Sequence, residues 1–302
     1  MGIYSELLRG LFEGFGHKIV MPTRVTQEMI KLGVMSSSDF MCFPFKATLG
    51  QQIWALENGA TDLVTWNNCG ICRAKHYPEL EEITLRSLGY KFNMHIITRK
   101  TLRKALKEFA GLSVFQAMKK FRTMLSQMRT IEENYYHFPS NGQLKIGLVG
   151  EVYTMWEQDI NFDIVRKLKR MGVDVDMSIT LSDFWEHKVI KGKEEEKEGR
   201  KLLSQELGGH GFESICNTIW YGKNNYDGVI HLMPLSCMPE STVEILVDMV
   251  AEKYQISLYR FPIDESAFEI GFDVRLFTFV SMLMRKKRAR GGLECPRSLK
   301  AD

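Results

Sequence analysis

The chain has 302 residues, of which 25% are charged and 44% hydrophobic, and its formal net charge is +3 at pH 7. A balance this even argues against a nucleic-acid-binding protein, which carries clustered Lys and Arg in excess. No run approaches the roughly 18 consecutive apolar residues of a membrane span, and residues 1–6 lack the basic-then-apolar order of a signal peptide. We therefore expect a cytoplasmic protein with neither nucleic acid nor membrane as a partner.

Residues 1–100 alternate short apolar runs with helical patterns, which is typical of a parallel α/β domain. The elements predicted there, in chain order, are a strand at 18–22, a helix at 26–32, a strand at 39–43, a helix at 48–58, a strand at 62–66, a helix at 77–88 and a strand at 93–97. Residues 101–137 show apolar residues at helical spacing without a strand signal. We expect one or two connecting helices in that segment.

The turn-rich segment 138–142, with the sequence Phe-Pro-Ser-Asn-Gly, is the clearest break in the chain. A second α/β pattern follows it. Its predicted elements are a strand at 144–151, a helix at 161–171, a strand at 173–179, a solvated helix or loop at 191–198, a strand at 227–233, a helix at 240–253, a strand at 255–261 and a helix at 274–287.

The predicted fold is therefore α/β, with two open parallel-sheet domains joined by a helical connector. The first domain spans residues 1–100 and the second spans residues 143–290. The connector covers residues 101–142, and residues 291–302 form a tail.

Four of the six cysteines lie just past the ends of short apolar runs that are predicted to form strands: Cys42, Cys69, Cys72 and Cys237. Ligands of an open parallel sheet gather outside the carboxyl ends of the strands. Disulfides are rare in the cytoplasm, where cysteines are more often buried, catalytic or metal-bound. Thiolates from three separate segments can therefore converge on one metal centre.

Three interpretations of these thiols compete. A redox dithiol would use Cys69 and Cys72 alone, at a helix N-terminus directly after a strand. A structural zinc ion usually takes two nearby Cys pairs or Cys and His at short spacing, whereas Cys42 and Cys237 lie far apart in the sequence. Cubane iron–sulfur clusters are held by thiolates and suit three strand-end segments best. The spacing favours an iron–sulfur site and leaves zinc and thiol chemistry open.

Other polar residues are candidates for the same cleft. Lys46 and Arg73 lie beside the thiols and can offset negative charge on a cluster, or they are ordinary solvated side chains. Glu151 and Tyr153 end the first strand of the second domain, and Asp264 and Glu265 follow its last strand. These two pairs are the catalytic candidates for binding substrate or positioning a proton donor. The competing interpretation of the acidic residues is helix capping.

Several blocks of the chain together resemble the 2-hydroxyacyl-CoA dehydratase subunits and the related double-cubane cluster proteins. The best match is to the uncharacterised CoA-enzyme-activase-associated, or acyl-CoA dehydratase activase-related, branch. The matching blocks, in order, are 42–46, 69–73 with Tyr77, 150–153, 208–215, 227–240 around Cys237, 263–265 and 271–276. The resemblance covers residues 16–290, nearly the whole chain.

The resemblance implies two flavodoxin-like domains that hold a cysteine-ligated [4Fe–4S] cluster or a larger double-cubane cluster. It also implies a separate ATP-dependent activator ATPase as the electron donor, and an acyl-CoA substrate that is dehydrated through a ketyl radical. The chain has no GxxxxGK[ST] phosphate loop of its own, so an ATP-driven step would need that partner.

The chain departs from the family pattern at two places. Ser236 stands where the family usually has glycine, and Ser266-Ala267-Phe268 replaces the usual His-Thr-Gly after Asp264-Glu265. Together, the cysteines and the resemblance favour an iron–sulfur component of a lyase (dehydratase) or reductase that accepts low-potential electrons. The alternatives are a non-catalytic cluster carrier or electron-transfer scaffold, and a zinc-stabilised binding protein. We expect Cys216 to be a buried thiol and Cys295 to be an ordinary thiol.

Overall fold

The computed structural model describes residues 2–67, 71–98, 100–101, 104, 113–136, 142–267 and 269–291. Within them the protein is mixed α/β, and its six strands form two parallel sheets. Cys69 and Cys295 lie outside the described residues, as does most of segment 102–112. In the described part of the chain, no helix has both the length and the apolar character needed to cross a bilayer.

The smaller sheet pairs β1 (Asp62–Trp66) with β2 (Asn93–Ile97) in parallel, and Val64 lies opposite His95. The helices of this part, in chain order, are α1 (Ser5–Glu13), α2 (Gln27–Met35), α3 (Phe43–Glu57) and α4 (Tyr77–Ser87). Phe45, Leu49 and Leu85 join one apolar core between α3, α4 and the sheet. The strands predicted at 62–66 and 93–97 are confirmed.

The larger sheet has the order β4-β3-β5-β6, and all of its neighbouring strands are parallel. Its strands are β3 (Leu144–Gly150), β4 (Val173–Met177), β5 (Gly228–Pro234) and β6 (Ser257–Ile263). Its helices, in chain order, are α5 (Val114–Tyr136), α6 (Val152–Trp156), α7 (Ile164–Arg170), α8 (Leu181–Glu186), α9 (Lys193–Leu202), α10 (Gly211–Lys223), α11 (Met238–Lys253) and α12 (Glu269–Ala289).

The central strands β3 and β5 are buried along almost their whole length. Strands covered by helices on both faces read as continuous apolar runs, which is why the sequence signal was strong here. The predicted helix at 161–171 is shorter, because Phe162 and Asp163 have positive φ and α7 begins only at Ile164. Segment 191–198 belongs to helix α9.

The strands predicted at 18–22 and 39–43 are wrong. Residues 18–22 belong to neither sheet, and residues 39–41 form a turn and a bend that lead into α3. Cys42 is the N-cap of α3, with φ −68° and ψ 150°, and Pro44 lies in the first helical turn. Proline is favoured there because its fixed φ suits the helix and its missing N–H would have no helical partner.

Helices α2 and α3 cross at two glycines. A Cβ atom on Gly33 would overlap the carbonyl oxygen of Lys46, and a Cβ atom on Gly50 would overlap the carbonyl oxygen of Met29. The backbones therefore approach more closely than any larger residue would permit. This contact fixes the position of α3, whose N-terminus carries Cys42.

A buried carboxyl group, Glu81 of α4, faces α3. It accepts hydrogen bonds from Thr48 Oγ1 at 2.8 Å and from Gln52 Nε2 at 2.7 Å. Burial raises the pKa of Glu81 from 4.5 to about 7, although both hydrogen bonds lower it. Gln52 Oε1 is buried and has no hydrogen-bond partner in the described part of the chain.

Replacing Glu81 with glutamine should remove a pH-dependent loss of stability. The folded state keeps the Glu81 proton up to about pH 7 and the unfolded state releases it near pH 4.5, so stability falls as pH rises between these values. This difference in pKa corresponds to roughly 3 kcal/mol. Urea unfolding at pH 5 and pH 8 should show a smaller decrease for Glu81→Gln than for the wild type.

The exposed Glu79 of the same helix supplies the control for this prediction. Glu79→Gln should keep the wild-type difference between pH 5 and pH 8. Equal pH dependence of the Glu81→Gln variant and the wild type would contradict the prediction.

Candidate functional site

A cavity of about 390 Å³ has thiols from three separate segments on its wall. Cys42 comes from the N-terminus of α3, Cys72 from the loop after β1, and Cys237 from the N-terminus of α11. The structure therefore brings together three of the four predicted ligands. The fourth, Cys69, lies outside the described residues.

Cys42 is buried, and its Sγ is hydrogen-bonded to the hydroxyl of Tyr77, the first residue of α4. The Tyr77 ring packs edge-on against Phe45 with 5.0 Å between ring centroids, which holds the hydroxyl in place. Burial raises the pKa of the Cys42 thiol, while the Tyr77 hydrogen bond and the Arg73 charge oppose that rise.

Cys237 lies three residues after the end of β5 and is the N-cap of α11. Burial raises the pKa of the Cys237 thiol, and the negative charges of Glu151 and Glu240 raise it further. Cys42 also contributes to this rise, which places the two thiols in one electrostatic environment. A thiol in such surroundings becomes a thiolate when a metal centre supplies compensating positive charge.

Cys72 is partly exposed and lies beneath the glycine loop that precedes α10. A Cβ atom on Gly208 would overlap the backbone nitrogen of Cys72, and Gly209 has φ +70°. Gly208 is therefore required by the close approach of the two loops, and Gly209 by its left-handed backbone and its contact with Pro239. By contrast, Cys216 in α10 packs against Gly199 of α9, and burial raises its pKa to about 12.

Arg73 connects the three thiol-bearing segments. Its Nη1 donates to the carbonyl oxygen of Phe40 at 2.8 Å, and its Nη2 donates to the carbonyl oxygen of Ser236. Between the same two loops, Phe43 N donates to the carbonyl oxygen of Leu235 at 3.2 Å. The guanidinium thus joins the segments before Cys42 and Cys237, in addition to placing a positive charge near the thiols.

Ser236 has φ +60°, in the left-handed region. Glycine adopts this conformation without steric cost, which explains why glycine suits the position. Serine at this position therefore keeps the same backbone path, but its backbone is strained.

Lys46 and Glu265 form an ion pair at 2.8 Å, and the Lys46 side chain is only 4% exposed. Asp264 accepts hydrogen bonds from the backbone nitrogen and the hydroxyl of Ser266. Lys46, Asp264 and Glu265 do not line the cavity that the described residues enclose. The predicted cofactor role of Lys46 and catalytic roles of Asp264 and Glu265 stay predictions, and the observed contacts join α3 to the loop after β6.

Glu151 lines the cavity and caps α6. Its carboxylate accepts hydrogen bonds from the backbone nitrogens of Tyr153 and Thr154 at 2.9 and 2.8 Å and from Thr154 Oγ1 at 2.8 Å. Burial raises the pKa of Glu151, and these hydrogen bonds oppose the rise. The Tyr153 hydroxyl lies 2.6 Å from Gln51 Nε2 of α3, which donates to it. The capping interpretation of Glu151 is thus confirmed, while its catalytic role stays a prediction.

A polar group on the inner wall of the cavity, formed by Glu240, His231 and Ser214, was not predicted from the sequence. Glu240 Oε2 lies 2.7 Å from His231 Nε2 and accepts a hydrogen bond from Ser214 Oγ at 3.1 Å. Glu240, His210 and Glu213 all line the cavity. The available signals were an acidic residue in the first turn after Cys237 and a histidine inside the apolar run of β5.

Two of the residues on this wall, Glu213 and His210, have shifted pKa values. Burial raises the pKa of Glu213 from 4.5 to about 7. Burial also lowers the pKa of His210, which keeps that imidazole neutral at pH 7. The inner wall therefore combines carboxyl groups with an uncharged histidine.

Within the described ranges, no three His, Cys, Asp or Glu side chains are grouped closely enough to hold a single metal ion. The three thiols instead surround the cavity. Comparison of the chain with models of protein families gives no match, and a search of curated proteins gives no significant match.

Proposed function

We propose that the protein is an iron–sulfur protein of the 2-hydroxyacyl-CoA dehydratase type, built from two flavodoxin-like domains. Cys42, Cys69, Cys72 and Cys237 would hold a [4Fe–4S] cluster, and a double-cubane cluster is the larger variant. A separate ATP-dependent activator ATPase would donate low-potential electrons for a reductive or radical dehydration of an acyl-CoA substrate. The observation that carries the proposal is the meeting of three thiols from distant segments at one cavity.

The spread of the thiols suits a polynuclear cluster. A single zinc ion needs four ligands around one point, whereas each iron of a cubane takes its own thiolate. The described thiols of Cys42, Cys72 and Cys237 line one shared cavity, where separate irons of a cluster could each take one of them.

The local fold supports a negatively charged centre. Cys42 and Cys237 stand at the N-termini of helices of 15 and 16 residues. The positive end of each helix dipole stabilises thiolates and an anionic cluster. Arg73 adds a full positive charge close to Cys42. When bound, the cluster would supply one-electron reduction to a ligand in the cavity.

A second candidate function is a non-catalytic cluster carrier or electron-transfer scaffold. It is favoured by the ion pair of Glu265 with Lys46, because a carboxylate expected to serve catalysis is held outside the cavity lining. A carrier would use thiolates on all irons, whereas an enzyme would keep one iron open to substrate. Addition of a small iron ligand to the reduced protein should change the electron paramagnetic resonance spectrum only in the second case.

Anaerobic reconstitution of the full chain with ferric iron, sulfide and a thiol reductant tests the proposal. We expect a brown protein that binds iron and acid-labile sulfide in equal amounts and shows a paramagnetic signal on reduction. A colourless protein that binds zinc but no iron under these conditions would contradict it.

A further inference from the structure

Glu240 is held rigidly at the inner wall of the thiol cavity. Its side chain is 1% exposed, and the first turn of α11 places it beside His231 of β5, whose side chain is 0% exposed. His231 Nε2 and Ser214 Oγ both engage the same carboxylate oxygen, Oε2. These two partners fix the carboxylate plane and leave the other oxygen for a further contact.

That other oxygen, Oε1, is buried and has no hydrogen-bond partner in the part of the chain that the structure describes. The Nδ1 atom of His210, a neighbour on the same wall, is also buried without a hydrogen-bond partner there, and Glu213 Oε1 lies 3.9 Å from it, too far for a hydrogen bond. An unsatisfied buried carboxyl oxygen costs free energy, since folding removes its hydrogen bonds to water and does not replace them. A ligand that donates an N–H or O–H group would remove this cost.

The charge of the cavity restricts that ligand further. Glu151, Glu213 and Glu240 line it, and Lys75 is the single Lys or Arg among the lining residues that the structure describes. Glu151 already uses both carboxylate oxygens for the cap of α6, so it adds negative charge without offering a free acceptor. An anionic ligand group beside these carboxyl groups would therefore meet repulsion from them, whereas the N-termini of α3 and α11 and the Arg73 charge stabilise a cluster at the thiols.

We propose that Glu240, positioned by His231 and Ser214, is a recognition site for a ligand group that donates hydrogen bonds and carries no negative charge, such as a carboxamide. Glu240 Oε1 accepts from the ligand nitrogen, and His210 Nδ1 contacts the same polar head. This inference names the class of group bound next to the thiols, and it rests on the proposed function for the chemistry that follows binding.

Three small probes of similar shape separate the contributions of donor and charge. Propionamide is neutral and donates, N,N-dimethylpropionamide is neutral without an N–H donor, and propionate is an anion. Binding of each to the anaerobically reconstituted full chain can be measured by ligand-observed NMR titration. We expect propionamide to bind about tenfold more tightly than either of the others, the loss typical of one hydrogen bond to a charged group.

The variant Glu240→Gln should reduce propionamide affinity about tenfold, because the glutamine amide can present its N–H₂ group to the ligand in place of the acceptor oxygen. Glu244→Gln is the matched control, since Glu244 lies on the same helix, is 40% exposed and pairs with Arg260. The control should bind propionamide as the wild type does. If Glu240→Gln does not fold, the three probes on the wild type still decide the matter.

Equal affinity for the three probes, or a preference for propionate, would overturn the inference. Its failure is distinguishable from that of the proposed function, because iron and sulfide are assayed on the same samples. Iron-free protein that prefers propionamide contradicts the cofactor alone. Cluster-loaded protein that binds all three probes equally contradicts the recognition site alone.

Discussion

Serine in place of Cys237 is expected to abolish most of the iron and sulfide bound on anaerobic reconstitution. Cys237 is buried at the N-terminus of α11, and it belongs to the second predicted domain, whereas Cys42 and Cys72 belong to the first. Loss of this thiolate therefore removes the attachment of a cluster to one side of the cavity. Iron content, sulfide content and visible absorption measure the effect, and Cys42→Ser and Cys72→Ser should act in the same direction.

Cys216 provides the internal control for these variants. It is buried, as Cys42 and Cys237 are, but it packs from α10 against α9 and is not part of the cavity lining. Cys216→Ala should therefore retain the wild-type iron content while sharing any general effect of removing a buried thiol. Full iron retention by Cys237→Ser would show that Cys237 is not a ligand.

Alanine in place of Gly50 is expected to destabilise the protein by about 3 kcal/mol, at the upper end of the usual cost of overpacking. The added methyl group would overlap the carbonyl oxygen of Met29, so α2 and α3 must separate. Because α3 begins at the residue after Cys42, the same shift should also lower iron retention. Urea unfolding gives the change in the free energy of unfolding.

Gly10 is the matched control, since it also lies within a helix but a Cβ atom there would meet no heavy atom within 4 Å. Gly10→Ala should leave stability unchanged or raise it by about 0.5–1 kcal/mol, because alanine loses less backbone entropy in a helix. A Gly50→Ala variant as stable as the wild type would show that the two helices can separate freely.

The strands that the sequence predicted well are those whose signal is local. β3 and β5 are continuous apolar runs between turn residues, and both are fully covered by neighbouring helices. The error at 39–43 arose from a competing local signal. Asp39 and the preceding serines favour a turn, and Pro44 favours a helix start over a central strand.

Only those parts of the candidate site that follow from local sequence could be predicted. A cysteine beside a strand end can be found in the sequence, and Cys72 and Cys237 do line a common cavity. The pairing of His231 with Glu240 requires β5 and α11 to pack together, which no spacing rule expresses. The bonds from Arg73 to two distant carbonyl oxygens likewise depend on tertiary structure.

The use of backbone oxygens by Arg73 has a consequence for how this region tolerates mutation. Any amino acid presents the same carbonyl group, so substitutions at Phe40 leave the acceptor chemically intact. Lysine in place of Arg73 would lack the planar fork that reaches two acceptors at once. Variation is therefore tolerated at Phe40, whereas Ser236 is restricted by its left-handed backbone and Arg73 by the two hydrogen bonds that its side chain donates, so a single side chain supports the alignment of three loops.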